Sequence, residues 1–300
     1  MVFADTDAGA QYRKLANEFG LDFHEQGTRL YGENKVLKSS NVTGPTIIVP
    51  SSKEKVVFSG IGLNYNKDSR FLTPVLATGA KDIVRNEFKK SENPGASHVV
   101  LAFQGRNNAR AIFSGSIDIC SDLNTKSSKS SNEKFCSELS KWVLNEKGVL
   151  RYTSITHHRV NEKQPKGYLE GEYTINDDLY YSIEIEENVG GKWQRFKTEN
   201  AYLEFVMMDP KIRKYLENSN EGLVSRFRAP DVHGVYQFKT FLYEAGYSWI
   251  ETASKVTVRP YRHNQFERFL VCASPYYASV FASISGFVLF SFSFLYHKNN

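Results

Sequence analysis

Between Arg268 and Lys298 the chain contains no Asp, Glu, Lys or Arg. Inside that gap, residues 276 to 296 read YYASVFASISGFVLFSFSFLY. At about 1.5 Å of rise per residue this is roughly 30 Å of helix, the thickness of a bilayer's hydrocarbon core. Pro275 suits the entry to a helix. Tyr276 and Tyr277 at one end and Tyr296 at the other suit the two interfacial belts. The stretch predicts one transmembrane helix, which obliges nearly all of the remaining chain to fold on one side of a membrane. Ala278, Ala282 and Gly286 recur every four residues within it, flanked by Ser279 and Ser283. That small-residue stripe is where a second helix can approach closely, so these five positions are the expected helix-packing set.

Whole-chain averages hide this segment. The mean hydropathy is −0.44, and 24% of the 300 residues are charged, which excludes a many-helix membrane protein. An aromatic content of 14% argues against a disordered chain, which lacks the apolar surface to offset ordering entropy. Nine Pro and 20 Gly without a period exclude collagen-like repeats, and three Cys exclude a disulfide-stapled mini-protein. The net charge of +5 is scattered: Arg106 and Arg110, Lys126 and Lys129, and the 255–268 group stand apart. No basic face interleaved with aromatics forms, so nucleic acid is not an expected partner; the apolar span makes membrane lipid one.

Orientation stays open on the residues alone. Lys255, Arg259, Arg262 and Arg268 precede the span and only Lys298 follows it. The first twenty residues have no basic n-region or apolar h-region. Both points lean towards a tail-anchored, cytosol-facing adaptor, although large domains translocate largely regardless of charge.

Residues 1 to about 150 alternate strand-like and helix-like segments, which predicts an α/β layer. Gln11 to Phe19 reads as a helix with Tyr12, Leu15, Ala16 and Phe19 on one face. Pro45–Pro50, Lys55–Gly60, His98–Phe103 and Arg110–Ser114 read as strands. Glu133 to Asn145 reads as a helix with Phe135, Leu139, Trp142 and Val143 on its apolar face, and Gly148 is placed to end it. Residues 121 to 133 are rich in Ser, Asn and Lys and read as a loop.

From Tyr152 to Pro260 the period becomes two. Tyr181, Ile183 and Ile185 face one way, and Ser182, Glu184 and Glu186 the other. Val189–Lys192 is a turn leading into Trp193 and Phe196. Residues 201–206, 223–227, 235–241, 247–250 and 255–258 add short strands, the pattern of a β-sandwich. Residues 207 to 217 break the pattern and read as a short helix after Pro210.

No catalytic constellation stands out. Gly60-Ile61-Gly62 lacks the third glycine of a dinucleotide fingerprint and the Lys of a phosphate loop, so it reads as a turn. His157 and His158 are adjacent on a strand and point to opposite sides, with no cluster to complete a metal site. Cys120 follows a strand as a nucleophile does, but no glycines flank it. Asp118 and Asp122 would raise its pKa. Cys120 and Cys136 can pair in an oxidising compartment. Asn41-Val42-Thr43 is the single glycosylation sequon, relevant only to a lumenal chain.

Longer stretches carry a family resemblance. Residues 104–116 (QGRNNARAIFSGS), 142–151, 156–160, 229–239 (APDVHGVYQFK), 256–260, 265–269 and 275–279 are collinear and resemble the 48 kDa subunit family of the eukaryotic oligosaccharyltransferase. The loops at 80–97 and 120–135 match least. The resemblance implies a Rossmann-like α/β, amidotransferase-like domain at 1–151, an all-β sandwich at 152–262, a juxtamembrane segment at 263–275, one C-terminal transmembrane helix at 276–296 and a cytosolic tail at 297–300. It implies a type I protein of the endoplasmic reticulum membrane with both folded units lumenal.

The implied role is that of a non-catalytic subunit, needing no cofactor, of the complex that moves oligosaccharide from dolichyl pyrophosphate to Asn in Asn-X-Ser/Thr. The implied partners are the catalytic polytopic subunit, ribophorin I, ribophorin II and the defender against cell death subunit. Against that family, the chain is expected to lack the front of its first domain and the signal peptide before it. His297 and Lys298 half-match a dilysine retrieval tail.

Overall fold

The computed structural model describes residues 1–31, 38–40, 42, 44–50, 56–78, 83–86, 89–92, 97–121, 131–162 and 164–297. Asn41 and Lys298 lie outside them. The described chain is mostly β-sheet, with three α-helices of which the last is the apolar C-terminal one.

The first unit is built around HVVLAFQ, an uninterrupted apolar run that can be buried on both faces. It forms β10 (His98–Gln104), flanked by β11 (Arg110–Ser114) and β7 (Leu72–Ala77). β1 (Val2–Phe3), β6 (Leu63–Tyr65) and β2 (Leu21–Phe23) complete a six-stranded sheet. Val100, Ala102 and Ile112 face a cluster with helix α2 (Asn132–Val143), through Phe135, Leu139 and Trp142. Leu101 and Phe113 face the opposite cluster with Ala16 of helix α1 (Ala10–Glu18).

Helices therefore cover both sides of the sheet, but the Rossmann-like reading fails. Only β1 and β11 pair in parallel, and the other pairings in this sheet are antiparallel. The reason lies in the connections. β10 and β11 are joined by Gly105–Ala109, and parallel strands need a crossover of a dozen or more residues. Smaller antiparallel sheets join β3 (Thr28–Tyr31), β8 (Ile83–Asn86) and β9 (Lys89–Glu92), and β4 (Lys38–Ser40) and β5 (Val56–Phe58).

Three local expectations are corrected here. In α1, Ala16 is buried and Phe19 packs against the core, but Tyr12 and Leu15 are exposed. The inward face is thus narrower than the apolar pattern. Pro45–Pro50 is a turn, in which Ile48 and Val49 donate to Pro45 O, although both side chains are buried. α2 stops at Val143 because Asn145, at φ +60°, takes the left-handed position before Gly148 is reached. Gly60 sits against Gly115: a Cβ on Gly60 would lie 2.0 Å from Gly115 O, so this glycine serves backbone contact and no phosphate.

Cys120 and Cys136 are disulfide-bonded, with Cα atoms 5.9 Å apart across a sequence separation of 16. The bond ties the short 3₁₀ turn Asp118–Cys120 to α2. Closing a loop of that length contributes about 3 kcal/mol. A Cys120→Ala/Cys136→Ala variant is therefore expected to lower the unfolding free energy by about 2–4 kcal/mol, read by urea denaturation. Unchanged stability would show that the bond constrains nothing.

The second unit is a two-sheet sandwich. One sheet orders β12 (Leu150–Arg159), β14 (Asp178–Val189), β19 (Gly222–Arg228) and β18 (Glu217–Ser219). β15 (Lys192–Arg195) also pairs with β14, through a turn in which Gly190 and Gly191 both take positive φ. The other sheet orders β13 (Glu172–Thr174), β21 (Ile250–Arg259), β20 (Gly234–Leu242), β16 (Tyr202–Val206) and β17 (Pro210–Tyr215). Tyr181, Ile183 and Ile185 point inward as their alternation requires, meeting Phe205, Tyr236 and Phe238.

Polar pins cross this core. Tyr181 Oη and Thr240 Oγ1 are 2.7 Å apart. His157, 1% exposed, bonds Tyr173 Oη at 2.8 Å and Ser254 Oγ at 3.1 Å and stacks on Phe238. His158 points the other way and stacks on Tyr180. Residues 210–215 are a strand where a helix was expected. Pro210 is its first residue and the strand is an edge, both positions where proline costs no ladder bond.

Helix α3 (Ser274–Leu295) follows a 3₁₀ turn at Val271–Ala273 and buries none of its residues. The segment Val271–Leu295 is long and apolar enough to cross a membrane.

Candidate functional site

The side chains that organise the molecule lie where the two units meet. The β10–β11 turn carries Asn108 at φ +60°. Its amide makes a paired contact with the loop before β21: Trp249 N donates to Asn108 Oδ1 at 2.7 Å and Asn108 Nδ2 donates to Trp249 O at 3.1 Å. Gln104 Nε2 donates to Tyr247 O at 2.6 Å. From α2, Trp142 Nε1 donates to Gly246 O at 2.7 Å.

Arg110 closes the joint. Its guanidinium donates to Trp142 O at 3.0 Å, Lys147 O at 2.6 Å and Gly148 O at 2.7 Å, with Ser248 Oγ at 3.3 Å. It also lies over the Trp142 ring, 4.9 Å from the centroid. Burial pulls its pKa down to about 10, so it remains a cation at neutral pH, beside Trp142 O in the last turn of α2 and the carbonyls of Lys147 and Gly148 beyond it. Space is tight as well: a Cβ on Gly148 would meet Gly246 O at 2.5 Å.

A cleft of about 960 Å³ opens beside this joint. The first unit contributes Arg70, Phe71 and Arg106, and the sandwich contributes Tyr202, Arg213, Tyr215, Tyr243 and Trp249. Phe71 and Trp249 meet across the boundary with ring centroids 5.5 Å apart.

The sequence pattern placed Trp142 on the apolar face of its helix but assigned no role to Gln104, Asn108 or Arg110 at a joint, although 104–110 were among the stretches carrying the resemblance. Their partners lie 141 positions away for Asn108 and 138 for the Arg110–Ser248 pair. The one local signal was Asn-Asn after a strand, which marks a turn and not its partner.

The expected site residues fall elsewhere. Ala278, Ser279, Ala282, Ser283 and Gly286 all lie on α3 and are exposed. A Cβ on Gly286 would meet nothing within 4 Å. Ser279 Oγ donates to Tyr276 O and Ser283 Oγ to Ser279 O. His297 follows the helix. Among the described residues no group of three His, Cys, Asp or Glu is placed to hold a metal ion.

Comparison with known proteins covers both units. The family model described as the OST48 N-terminal domain matches residues 1–146. The model described as the OST48 middle domain matches residues 157–298. Three curated proteins are similar along the chain, each called dolichyl-diphosphooligosaccharide–protein glycosyltransferase 48 kDa subunit. The Arabidopsis thaliana protein is 34% identical, over 99% of this chain and 74% of its own length. The Caenorhabditis elegans protein is 35% identical, over 100% and 74%. The Danio rerio protein is 32% identical, over 99% and 74%.

Proposed function

The chain belongs to the OST48 family, and from that premise we propose that it is a non-catalytic subunit of an oligosaccharyltransferase. In this reading it is a single-pass protein of the endoplasmic reticulum membrane, and residues 1–151 and 152–262 form its lumenal units. It supports assembly and stability of the enzyme that moves oligosaccharide from a dolichyl carrier to Asn of nascent proteins. The observation that carries the reading is similarity along the whole chain to proteins named as that subunit.

The Cys120–Cys136 bond supports lumenal placement, since disulfides persist in oxidising compartments. It also occupies the sulfur that a Cys120 nucleophile would need. His157 and His158 are likewise engaged in packing, which supports a structural rather than catalytic role. The cytosol-facing adaptor has no comparable support.

Depleting the protein should leave Asn-X-Ser/Thr sites under-occupied, and the tagged chain should co-purify with the catalytic subunit. Normal occupancy after complete loss would refute the assignment. In intact microsomes the folded units should resist added protease, and full digestion would restore the adaptor reading.

The stripe on α3 is read as the face that packs on a neighbouring subunit's helix. Ala282→Leu or Gly286→Leu should reduce recovery of the assembled complex several-fold on native gels. Val288→Leu, off the stripe, should change it little. Equal effects at the three positions would dispose of the stripe.

A further inference from the structure

The sandwich has two different ends. β21 begins at Ile250, beside the joint, and finishes at Arg259, where the chain leaves for α3. The joint and the exit therefore lie at opposite ends. β20 starts at the exit end, with Gly234 registered on Val258. The β16–β17 hairpin turns there too, since Val206 is registered on Gln237 of β20. With strands about 4.8 Å apart, the loop before β20 and the hairpin tip stand roughly 5–15 Å from Arg259 across one sheet.

Both turns hold apolar side chains out in solvent. Met208, at the hairpin tip, is 88% exposed, and Val232 and Val235 are exposed as well. Both turns are also pinned. Tyr236 Oη donates to Val232 O at 2.8 Å. A Cβ on Gly234 would lie 2.7 Å from Met207 Sδ, so the hairpin is packed on the start of β20. A single exposed apolar residue is ordinary, but a group on adjoining turns marks a contact surface.

That surface is continuous with the approach to the span. Arg259 Nη1 donates to Gln265 Oε1 at 2.8 Å, and Arg262 N donates to the same oxygen at 3.0 Å. The chain thus doubles back on the end of β21 before it moves on. Phe266, Phe269 and Leu270 follow, all exposed. The Phe269 ring meets Tyr277 of α3 with centroids 6.1 Å apart, and Arg268 lies over the Phe269 ring. Exposed rings and arginines next to an apolar helix belong at the headgroup level of a bilayer. Gln265 ties Arg259 to that level, and with it the neighbouring turns.

Resting on the reading of α3 as a membrane span, we propose that the sandwich stands on the phospholipid surface, with Met208, Val232 and Val235 dipped into the headgroup layer as a second attachment beside the helix. The occupant is a zwitterionic bilayer. Asp209 and Asp231 outnumber Lys211 around the turns, so no cationic excess selects an anionic lipid, and choline headgroups accommodate the two acids. The β13–β14 turn at the same end is polar and engaged: Asp177 pairs with Arg159, and Asn176 O accepts from Arg228. The sandwich therefore leans on its β16–β20 corner. Ten residues of β21 then hold the joint and its cleft roughly 33 Å above the bilayer.

The test places the full chain in phosphatidylcholine nanodiscs, with its disulfide intact, and reads a fluorescent thiol label against a headgroup-level nitroxide lipid. Cys272 is the free cysteine among the described residues, and labelled it reports the start of α3. In a Cys272→Ser background, Met208→Cys and Val232→Cys put the label on the two turns. Val189→Cys puts it at the far end, next to Asn188, whose N–H donates to Val149 O beside the joint. These positions are exposed, so the thermal midpoint should not change. The nitroxide lipid should quench the labels at 208 and 232 by roughly half, close to the value at Cys272, and leave the label at 189 within about a tenth of its starting emission. Unquenched turns beside a quenched Cys272 would overturn the proposal and leave the span standing. Equal quenching at 189 would overturn it too, since no one end would then face the lipid. An unquenched Cys272 would remove the span and the proposal together.

Discussion

Replacing Arg110 with Ala should lower the unfolding free energy by about 3 kcal/mol, more than any other single change at the joint. Three carbonyls, of Trp142, Lys147 and Gly148, lose a charged donor at once; Trp142 O keeps Asn145 N and Gly148 O keeps Ser248 N, so Lys147 O is the most exposed to the loss. The Trp142 ring loses the cation over it. Arg110→Lys should rescue little, because a single ammonium cannot reach three acceptors in a planar fork. Asn108→Ala removes two bonds to one residue and should cost about 1–2 kcal/mol. Thermal unfolding reads these effects: the Arg110→Ala midpoint should fall by roughly 6–10 °C. Cleavage by added protease should also appear at residues 144–149. A midpoint within 1–2 °C of the parent would mean that the joint is held by packing alone.

Acid should destabilise the sandwich through His157. Burial among Tyr173, Phe238 and Ser254 lowers its pKa to about 4, from 6.5 when unfolded. The unfolded chain therefore binds the extra proton between these values. The neutral-histidine contribution is fully present above about pH 7, is lost as pH falls from 6.5 to 4, and amounts to about 3 kcal/mol. Urea titrations at half-unit pH steps should give this slope for the parent. A His157→Gln variant, uncharged throughout, should lack that part of it. Glu138 and Glu184, held low by Lys147 and Lys166, add losses at lower pH in both proteins, so the difference between them isolates His157. Identical slopes would place the acid sensitivity elsewhere.

Legibility in the sequence followed the range of the cause. β11 begins and ends where the run RAIFS does, and Tyr181, Ile183 and Ile185 are buried as their alternation requires. Phe135, Leu139 and Trp142 also turn inward as the helical period implies. These are properties of neighbours along the chain. Sheet direction is not: HVVLAF reads the same in a parallel or an antiparallel sheet, and only the short turn before Arg110 decides it. Pro210 misled because a proline breaks a helix, opens one or begins an edge strand, and the pairing partner at 202–206 settles which. The joint and cleft were the least legible. Asn108, Arg110 and Arg70 acquire meaning only beside Trp249, Ser248 and Tyr243, which no local pattern connects to them.

The hydroxyls of Ser279 and Ser283 are already spent on the carbonyls of their own helix. On the proposed packing, the stripe offers a neighbour its contour and the serine lone pairs, but no hydroxyl proton. Ser283→Ala should then be nearly silent in complex recovery where Ala282→Leu is not, because the proposed contact depends on the depth of a groove.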